Sequence, residues 1–223
     1  MYKCVVFDMD GTLVDSYKGI YRAYRWALNA LGREFGGESF VRRAIGAPLP
    51  LVFENMSGLT GEEIPKAVDA YRRYYQQQGK REVTAYAGMA EALQALKAGG
   101  CSLGVATLKK ETFAQDILRE TGLASYFDAV HGMDRDDRLT KAELIRRCMR
   151  DMRADDKETV LVGDSAFDAQ GAQEAGVAFL AVTYGFGFRD GKEARALGAK
   201  WVADAPGQIP DAVIGSKEAA ARK

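Results

Sequence analysis

The sequence predicts an α/β protein, a parallel sheet covered on both faces with a helical segment inserted after the first strand. Three observations carry this. Short β-branched and aromatic runs recur along the chain, and several of them end in a polar residue. From about Ala87 these runs alternate with segments of helical period, which is the pattern of a parallel sheet. Between Asp15 and Gly79 the helical period continues without a strand run.

The elements follow in order. Cys4 to Phe7 reads as a buried strand that ends in Asp8. Ile20, Tyr24, Ala27, Leu28 and Leu31 then recur at helical spacing, and Gly32 stops the helix. Phe40-Val41-Ile45, Leu51-Phe53 and Val68-Tyr71-Tyr75 continue helical patterns to about Gly79. Met89, Ala92, Leu93 and Leu96 mark a helix closed by Gly99-Gly100. Cys101 to Ala106 is a strand, and Phe113, Ile117 and Leu118 give a helix stopped at Gly122. Phe127 to His131 is a short strand, followed by a helix carrying Leu144, Ile145, Cys148 and Met149. Thr159 to Val162 and Ala178 to Val182 are strands flanking a helix through Ala169 and Ala172. Trp201-Val202 begins a last short strand, and Ser216 to Lys223 reads as a frayed, Ala/Lys-rich helical end without a function. The division is therefore an α/β core at 1–14 and 82–223 and an α-helical cap at 15–81.

Composition narrows the function classes. The 223 residues carry 31 Lys and Arg against 31 Asp and Glu, a formal net charge of zero. That balance argues against a nucleic-acid partner and against a polybasic membrane anchor, but leaves room for a local basic pocket. Hydrophobic residues at 47% and charged residues at 28% suit a globular chain. No stretch approaches the length of a membrane span, and the N-terminus turns acidic too soon for a signal peptide. Cys4, Cys101 and Cys148 are widely spaced with no CxxC, which points to a reducing, cytoplasmic location and buried thiols. A single histidine, His131, rules out chemistry built on a histidine pair; it is expected at a strand end near the rim of the site, with no role.

Four strand ends carry polar residues, and strand ends converge in a doubly wound sheet. The first reads Asp8-Met9-Asp10-Gly11-Thr12-Leu13-Val14-Asp15. Two carboxylates one residue apart after a buried strand repel each other, unless a cation sits between them. Gly11 permits a tight turn that lets backbone N–H groups approach an anion. The second end places Thr107 after a strand, with Lys109 and Lys110 at the start of a helix, where the dipole disfavours cations unless an anion binds. A helix N-cap competes for Thr107, and plain solvation for Lys110. At the third, Thr140 and Glu143 fit a capping box that places Lys141 in a first helical turn, where the dipole again disfavours a cation; a solvated surface lysine is an equal reading there. The fourth, Val162-Gly163-Asp164-Ser165-Ala166-Phe167-Asp168, delivers Asp164 from a buried strand. Ser165 with Asp168 also fits a capping box, so Asp168 has a structural reading beside a ligand one. Strand-Gly-Asp with a second Asp four residues on suits a hard divalent cation with oxygen ligands, which is Mg²⁺ chemistry.

These strings, in this order, resemble the haloacid dehalogenase superfamily and its phosphoglycolate-phosphatase-like members with a helical cap. Ile45-Gly46-Ala47-Pro48-Leu49, Tyr71-Arg72-Arg73-Tyr74-Tyr75 and Val182-Thr183-Tyr184-Gly185-Phe186-Gly187 add to the likeness, which spans nearly the whole chain. The resemblance implies a Rossmann-like sheet, Asp8 as nucleophile and Asp10 as general acid and base. It implies that Thr107 and Lys141 hold a phosphoryl group and that Mg²⁺ binds Asp8, the Asp10 carbonyl and Asp164, with Asp168 in support. It implies a Mg²⁺-dependent phosphatase for a small phosphorylated metabolite, acting through an aspartyl-phosphate as a monomer or homodimer. Leu108 stands where relatives often have Asn, and Ala142 where many have Pro; Lys109 is left as a second phosphate contact.

Rival readings are ordered by single residues. Asp10 argues for phosphoryl transfer over dehalogenation. No His occurs between Asp15 and Gly79, which disfavours a phosphomutase, and neither Lys18 nor Lys66 sits in a phosphonatase motif. A 5'-nucleotidase or a pyrophosphatase stays open. A phospho-accepting signalling module is disfavoured by the helical insert and by Asp10, which would hasten loss of the phosphoryl group. Arg42 and Arg43 are candidates for a bidentate clamp on a substrate carboxylate, against a solvated helix face. Tyr17, Tyr21 and Tyr24 line either the cleft or the core.

Overall fold

The computed structural model describes residues 2–134 and 138–215, so the expected helical end at Ser216 to Lys223 lies outside the described residues. In chain order the strands are β1 (Cys4–Phe7), β2 (Val14–Asp15), β3 (Thr84–Ala85), β4 (Ser102–Lys110), β5 (Ala129–Met133), β6 (Thr159–Gly163), β7 (Ala178–Val182) and β8 (Trp201–Ala203). The helices are α1 (Tyr17–Ala30), α2 (Gly37–Ala44), α3 (Leu49–Ser57), α4 (Glu63–Gln77), α5 (Met89–Ala98), α6 (Glu111–Glu120), α7 (Lys141–Asp151), α8 (Ala166–Ala175), α9 (Gly191–Ala196) and α10 (Ile209–Ile214).

Six strands form one sheet in the order β5-β4-β1-β6-β7-β8, parallel at every pairing. This is the α/β architecture the sequence predicts. Alternate β1 side chains reach opposite layers: Val5 and Phe7 pack with α5 and α6, while Cys4 and Val6 pack with α7 and α8. Both faces are covered, so every β1 position must be apolar, and each fully buried large side chain contributes roughly 1.5–3 kcal/mol. All three cysteines are free and buried.

Register brings the motifs together. Phe7 pairs with Val105 on one side and Val162 on the other. Asp8 therefore emerges level with Ala106 and Gly163, with Thr107 and Asp164 one residue beyond. The site stands at the carboxyl edge of the two central strand pairs.

Between β2 and β3 the chain makes α1 to α4 and contributes no strand to the sheet. Helix α1 turns Ile20, Ala23, Tyr24, Ala27 and Leu28 inward. Tyr24 is the hub of this core, with ring centroids 4.7 Å from Tyr71, 5.3 Å from Phe40 and 5.6 Å from Phe53. This apolar core is continuous with the layer that covers one sheet face.

The structure departs from the sequence expectation in several places. Strand β4 runs on to Lys110, which pairs with Met133 and is also the N-cap of α6, so Lys110 does stand at the start of a helix while Lys109 lies within the strand. Strand β5 lies two residues later than expected. β2 and β3 form an antiparallel ribbon, Val14 opposite Ala85 and Asp15 opposite Thr84, where the chain leaves the sheet layer and returns. Two-residue strands carry no readable period. His131 sits inside β5, its Nε2 2.8 Å from Asp151 at the end of α7, rather than at a strand end. No described helix is long and apolar enough to cross a membrane.

Candidate active site

Asp8 is buried, and its N–H donates to the Val162 carbonyl at 2.8 Å, which fixes its backbone to β6. Thr140 caps α7 in the predicted box with Glu143. Lys141 is thereby held as the first helical residue and points into the protein. Its ammonium lies 2.5 Å from Asp8 Oδ1 and 2.7 Å from Asp168 Oδ1. A lysine at a helix N-terminus opposes the dipole; here two buried carboxylates offset that, and they hold its ammonium protonated against the opposing effect of burial.

Asp168 takes the capping role the sequence offered, and its second oxygen stays turned toward the other carboxylates and Lys141. Its Oδ2 accepts from the Ser165 N–H at 3.0 Å and the Ser165 hydroxyl at 2.6 Å, completing the α8 capping box. Its Oδ1 faces Lys141. Asp164 is gripped from the opposite side by a loop whose part the sequence did not reveal: the N–H groups of Phe186 and Gly187 donate to its Oδ2 at 2.7 and 3.1 Å. The Thr12 hydroxyl is 3.5 Å from Asp164 Oδ1.

Asp8, Asp164 and Asp168 each offer a carboxylate oxygen, and these lie within 4.8 Å of one another. Burial pushes the Asp8 carboxyl up to about 7, with Lys141 opposing and Asp168 adding to the rise. Burial, then Asp168 and Asp8, push Asp164 well above the carboxylate range, against the pull of the two N–H donors. Three buried carboxylates face one ammonium, so the donor set is short of positive charge. All-oxygen ligands of this kind fit Mg²⁺. The Asp10 side chain stands outside that group: its Oδ1 accepts from Ser16 Oγ at 2.5 Å and its Oδ2 pairs with Lys109 at 3.0 Å. Only its main-chain carbonyl is left as the metal contact that the resemblance implies.

Gly11 makes the turn possible. Its φ is +85°, and a Cβ there would fall 2.3 Å from Asp164 Oδ2. Gly11→Ala is expected to cost about 1–3 kcal/mol of stability and to displace Asp164. Denaturant melts together with Mg²⁺ titration check this; unchanged stability and unchanged Mg²⁺ affinity would refute it.

A cleft opens above the carboxylates, between the β4 end and the helical segment. Asp8, Asp10, Thr107, Lys109 and Asp168 are on its wall, and so are Tyr24, Tyr71, Arg72 and Tyr75 from α1 and α4. Thr107 caps no helix, since α6 begins four residues later; it accepts the Lys109 N–H at 3.2 Å and keeps its own proton to donate. Lys109, offered by the sequence as a phosphate contact, has its ammonium committed to Asp10 and to the Tyr75 ring, 4.1 Å from the ring centroid. Arg42 and Arg43 are exposed and do not line the cleft. Helix α2 turns Phe40, Val41 and Ala44 inward, which points the two arginines out. Arg42 instead lies over Tyr17 at 5.9 Å. The arginine on the cleft wall is Arg72, half-buried beside Tyr71. Its phase, one residue past an inward Tyr71–Tyr75 pair, was the available signal. Of the three candidate tyrosines, Tyr24 is both core and cleft wall, while Tyr17 and Tyr21 do not line the cleft.

A parallel sheet that gathers buried carboxylates and a buried lysine at its strand ends, beneath a cleft, has the arrangement of an α/β enzyme site. The chain matches the haloacid dehalogenase-like hydrolase family over residues 5–182. It is 35% identical over 190 residues to a 5'-nucleotidase of Pseudomonas aeruginosa, covering 85% of this chain and 86% of that protein. It is 34% identical over 195 residues to a phosphoglycolate phosphatase of Nitrosospira multiformis, covering 82% and 84%. Tyrosine-protein kinase PtkA of Mycobacterium tuberculosis is 33% identical over 187 residues, 83% of this chain and 64% of that one. The crystal structure of a predicted phosphatase from Clostridium acetobutylicum superposes with a TM-score of 0.90 at 32% identity, covering 97% of this chain and 100% of that one. The chain belongs to the haloacid dehalogenase-like hydrolase family. It is a phosphatase of that family.

Proposed function

We propose that this phosphatase hydrolyses a small phosphate monoester of the phosphoglycolate kind through a phosphoryl group carried on Asp8, with Mg²⁺ as cofactor. The observation that carries the reading is the placement of Asp8 on the cleft wall, one oxygen on Lys141 and Asp164 and Asp168 close by. Asp8 and Asp164, with the Asp10 carbonyl and support from Asp168, would hold the metal. Bound there, Mg²⁺ supplies positive charge between a carboxylate and a dianionic phosphate that would otherwise repel each other.

The remaining chemistry belongs to the chain's own residues. An Asp8 oxygen attacks phosphorus in line, and the bond to the leaving oxygen breaks. Asp10 gives its proton to that oxygen. Lys141 and the Thr107 hydroxyl hold the non-bridging oxygens. Water then attacks phosphorus, Asp10 takes its proton, and Asp8 is released with inorganic phosphate. The helical segment at 15–81 acts as a cap that closes on the cleft, excludes bulk water and reads the leaving group. Three buried free thiols support a reducing, cytoplasmic setting.

Arg72 lines the cleft, and in this reading it is the residue that would take a substrate carboxylate. The likeness to a 5'-nucleotidase supports a second reading, a nucleoside monophosphate. A kinetic panel of phosphoglycolate, sugar phosphates, nucleoside monophosphates and pyrophosphate separates the two. Phosphoglycolate is expected to show the highest kcat/KM. Arg72→Ala is expected to raise its KM by about 10-fold or more, while the KM for p-nitrophenyl phosphate moves little. Preferred turnover of nucleoside monophosphates, insensitive to Arg72→Ala, would replace the first reading with the second.

A further inference from the structure

The Lys109 side chain is buried and belongs to neither the metal group nor the Lys141 pair. It is 7% exposed, an expensive place for an ammonium unless partners satisfy it. Two do: Asp10 Oδ2 at 3.0 Å, and the face of the Tyr75 ring with its centroid at 4.1 Å. The backbone aims it there. Between Ala106 and Lys110 the β4–β5 register shifts, so that four steps on β4 span two on β5. Such an irregularity redirects a side chain. The Lys109 N–H is pinned on Thr107 Oγ1 at 3.2 Å, and its carbonyl packs so closely over Gly132 that a Cβ there would be 2.7 Å away.

Tyr75 belongs to α4, whereas Asp10 belongs to the loop after β1. The Tyr75 ring is wedged against Phe113 at 5.5 Å and stacked on Tyr71 at 5.9 Å. A shift of α4 therefore moves the surface on which the Lys109 ammonium rests, and Lys109 is bound to Asp10.

We infer that Lys109 is a positioning residue for Asp10, orienting its carboxylate and tying that orientation to the placement of α4 through the Tyr75 ring. This rests on the reading of Asp10 as general acid and base.

Leaving-group dependence tests it. Phenyl and p-nitrophenyl phosphate share a shape, but phenol needs a proton from the enzyme more than p-nitrophenol does. Lys109→Met is expected to lower kcat/KM for phenyl phosphate about 10-fold more than for p-nitrophenyl phosphate. Inhibition by inorganic phosphate should shift by less than about threefold. Tyr75→Leu, which leaves the ion pair intact, should show the same pattern to a smaller degree. The double variant should lose no more than Lys109→Met alone. Lys109→Arg should regain part of the loss, which a folding defect in Lys109→Met would not explain. Equal losses on both substrates with weakened phosphate inhibition would make Lys109 a phosphate contact and overturn the inference. So would wild-type kinetics in Lys109→Met, or additive effects in the double variant. Asp10→Asn on the same two substrates separates the two levels. If it lacks the leaving-group dependence, the acid–base reading fails and the role of Lys109 falls with it. If it has the dependence and Lys109→Met lacks it, only the Lys109 inference fails.

Discussion

Asp8→Asn is expected to lower turnover by at least about 10,000-fold, the largest loss of any single substitution in this protein. The amide matches the carboxylate in shape but is a far poorer nucleophile, and no second nucleophile stands in its place. The next carboxylate along the chain, Asp10, has its oxygens on Ser16 and Lys109. The fold should tolerate the change. Lys141 keeps Asp168 at 2.7 Å, and removing one of three crowded carboxylates relieves repulsion that burial makes costly. Thermal melting within a few degrees of wild type, together with loss of the phosphoryl group trapped on the acid-quenched enzyme, is the expected result. Asp8→Asn turnover within 100-fold of wild type, or a phosphoryl adduct mapped to another residue, would overturn the assignment of the nucleophile.

Why Asp8, Asp10, Asp164 and Lys141 were legible without coordinates is a matter of chain direction. Each follows a buried strand or opens a capped helix, and a parallel sheet sends such ends to one edge. Residues whose roles depend on contacts between distant segments were not legible. The N–H groups of Phe186 and Gly187 reach Asp164 across 22 and 23 residues, and nothing in their local sequence marks them as donors. Lys109 looked like a helix-terminal cation because the apolar run stops at Ala106. The strand continues through polar residues, since pairing with β5 rather than hydrophobicity defines it there. Arg42 and Arg43 were the arginines the sequence offered, but helix phase turns them outward and brings Arg72 to the cleft wall instead. Composition was informative in a limited way. A net charge of zero spoke against broad anionic partners, yet it averaged over a buried site where three carboxylates meet one ammonium.

That shortage of positive charge is expected to make stability depend on pH and, where the proposed Mg²⁺ binds, on the metal as well. The Asp8 carboxyl is raised from 3.8 to about 7, and Asp164 is raised in the same direction. A raised carboxyl means that the folded protein holds a proton the unfolded chain has released. Its contribution is complete below the unfolded value and is lost as pH rises toward the folded one, at up to roughly 1.4 kcal/mol per pH unit for each group. Lys141 does not offset this, because its ammonium stays protonated throughout. The surface carboxyls held below their usual values, such as Asp116 and Asp190, give their stability up only at lower pH and leave the window clear. In excess chelator, the melting temperature is therefore expected to fall between pH 5 and pH 7. Added Mg²⁺ is expected to bind the ionised carboxylates, so its stabilising shift should be small at pH 5 and grow as pH rises. At 100 times its Kd it adds about 2.7 kcal/mol. Activity should vanish in chelator and return with Mg²⁺. A melting temperature that climbs with pH in chelator, or a Mg²⁺ shift equal at pH 5 and pH 8, would show that these buried carboxylates do not hold the metal.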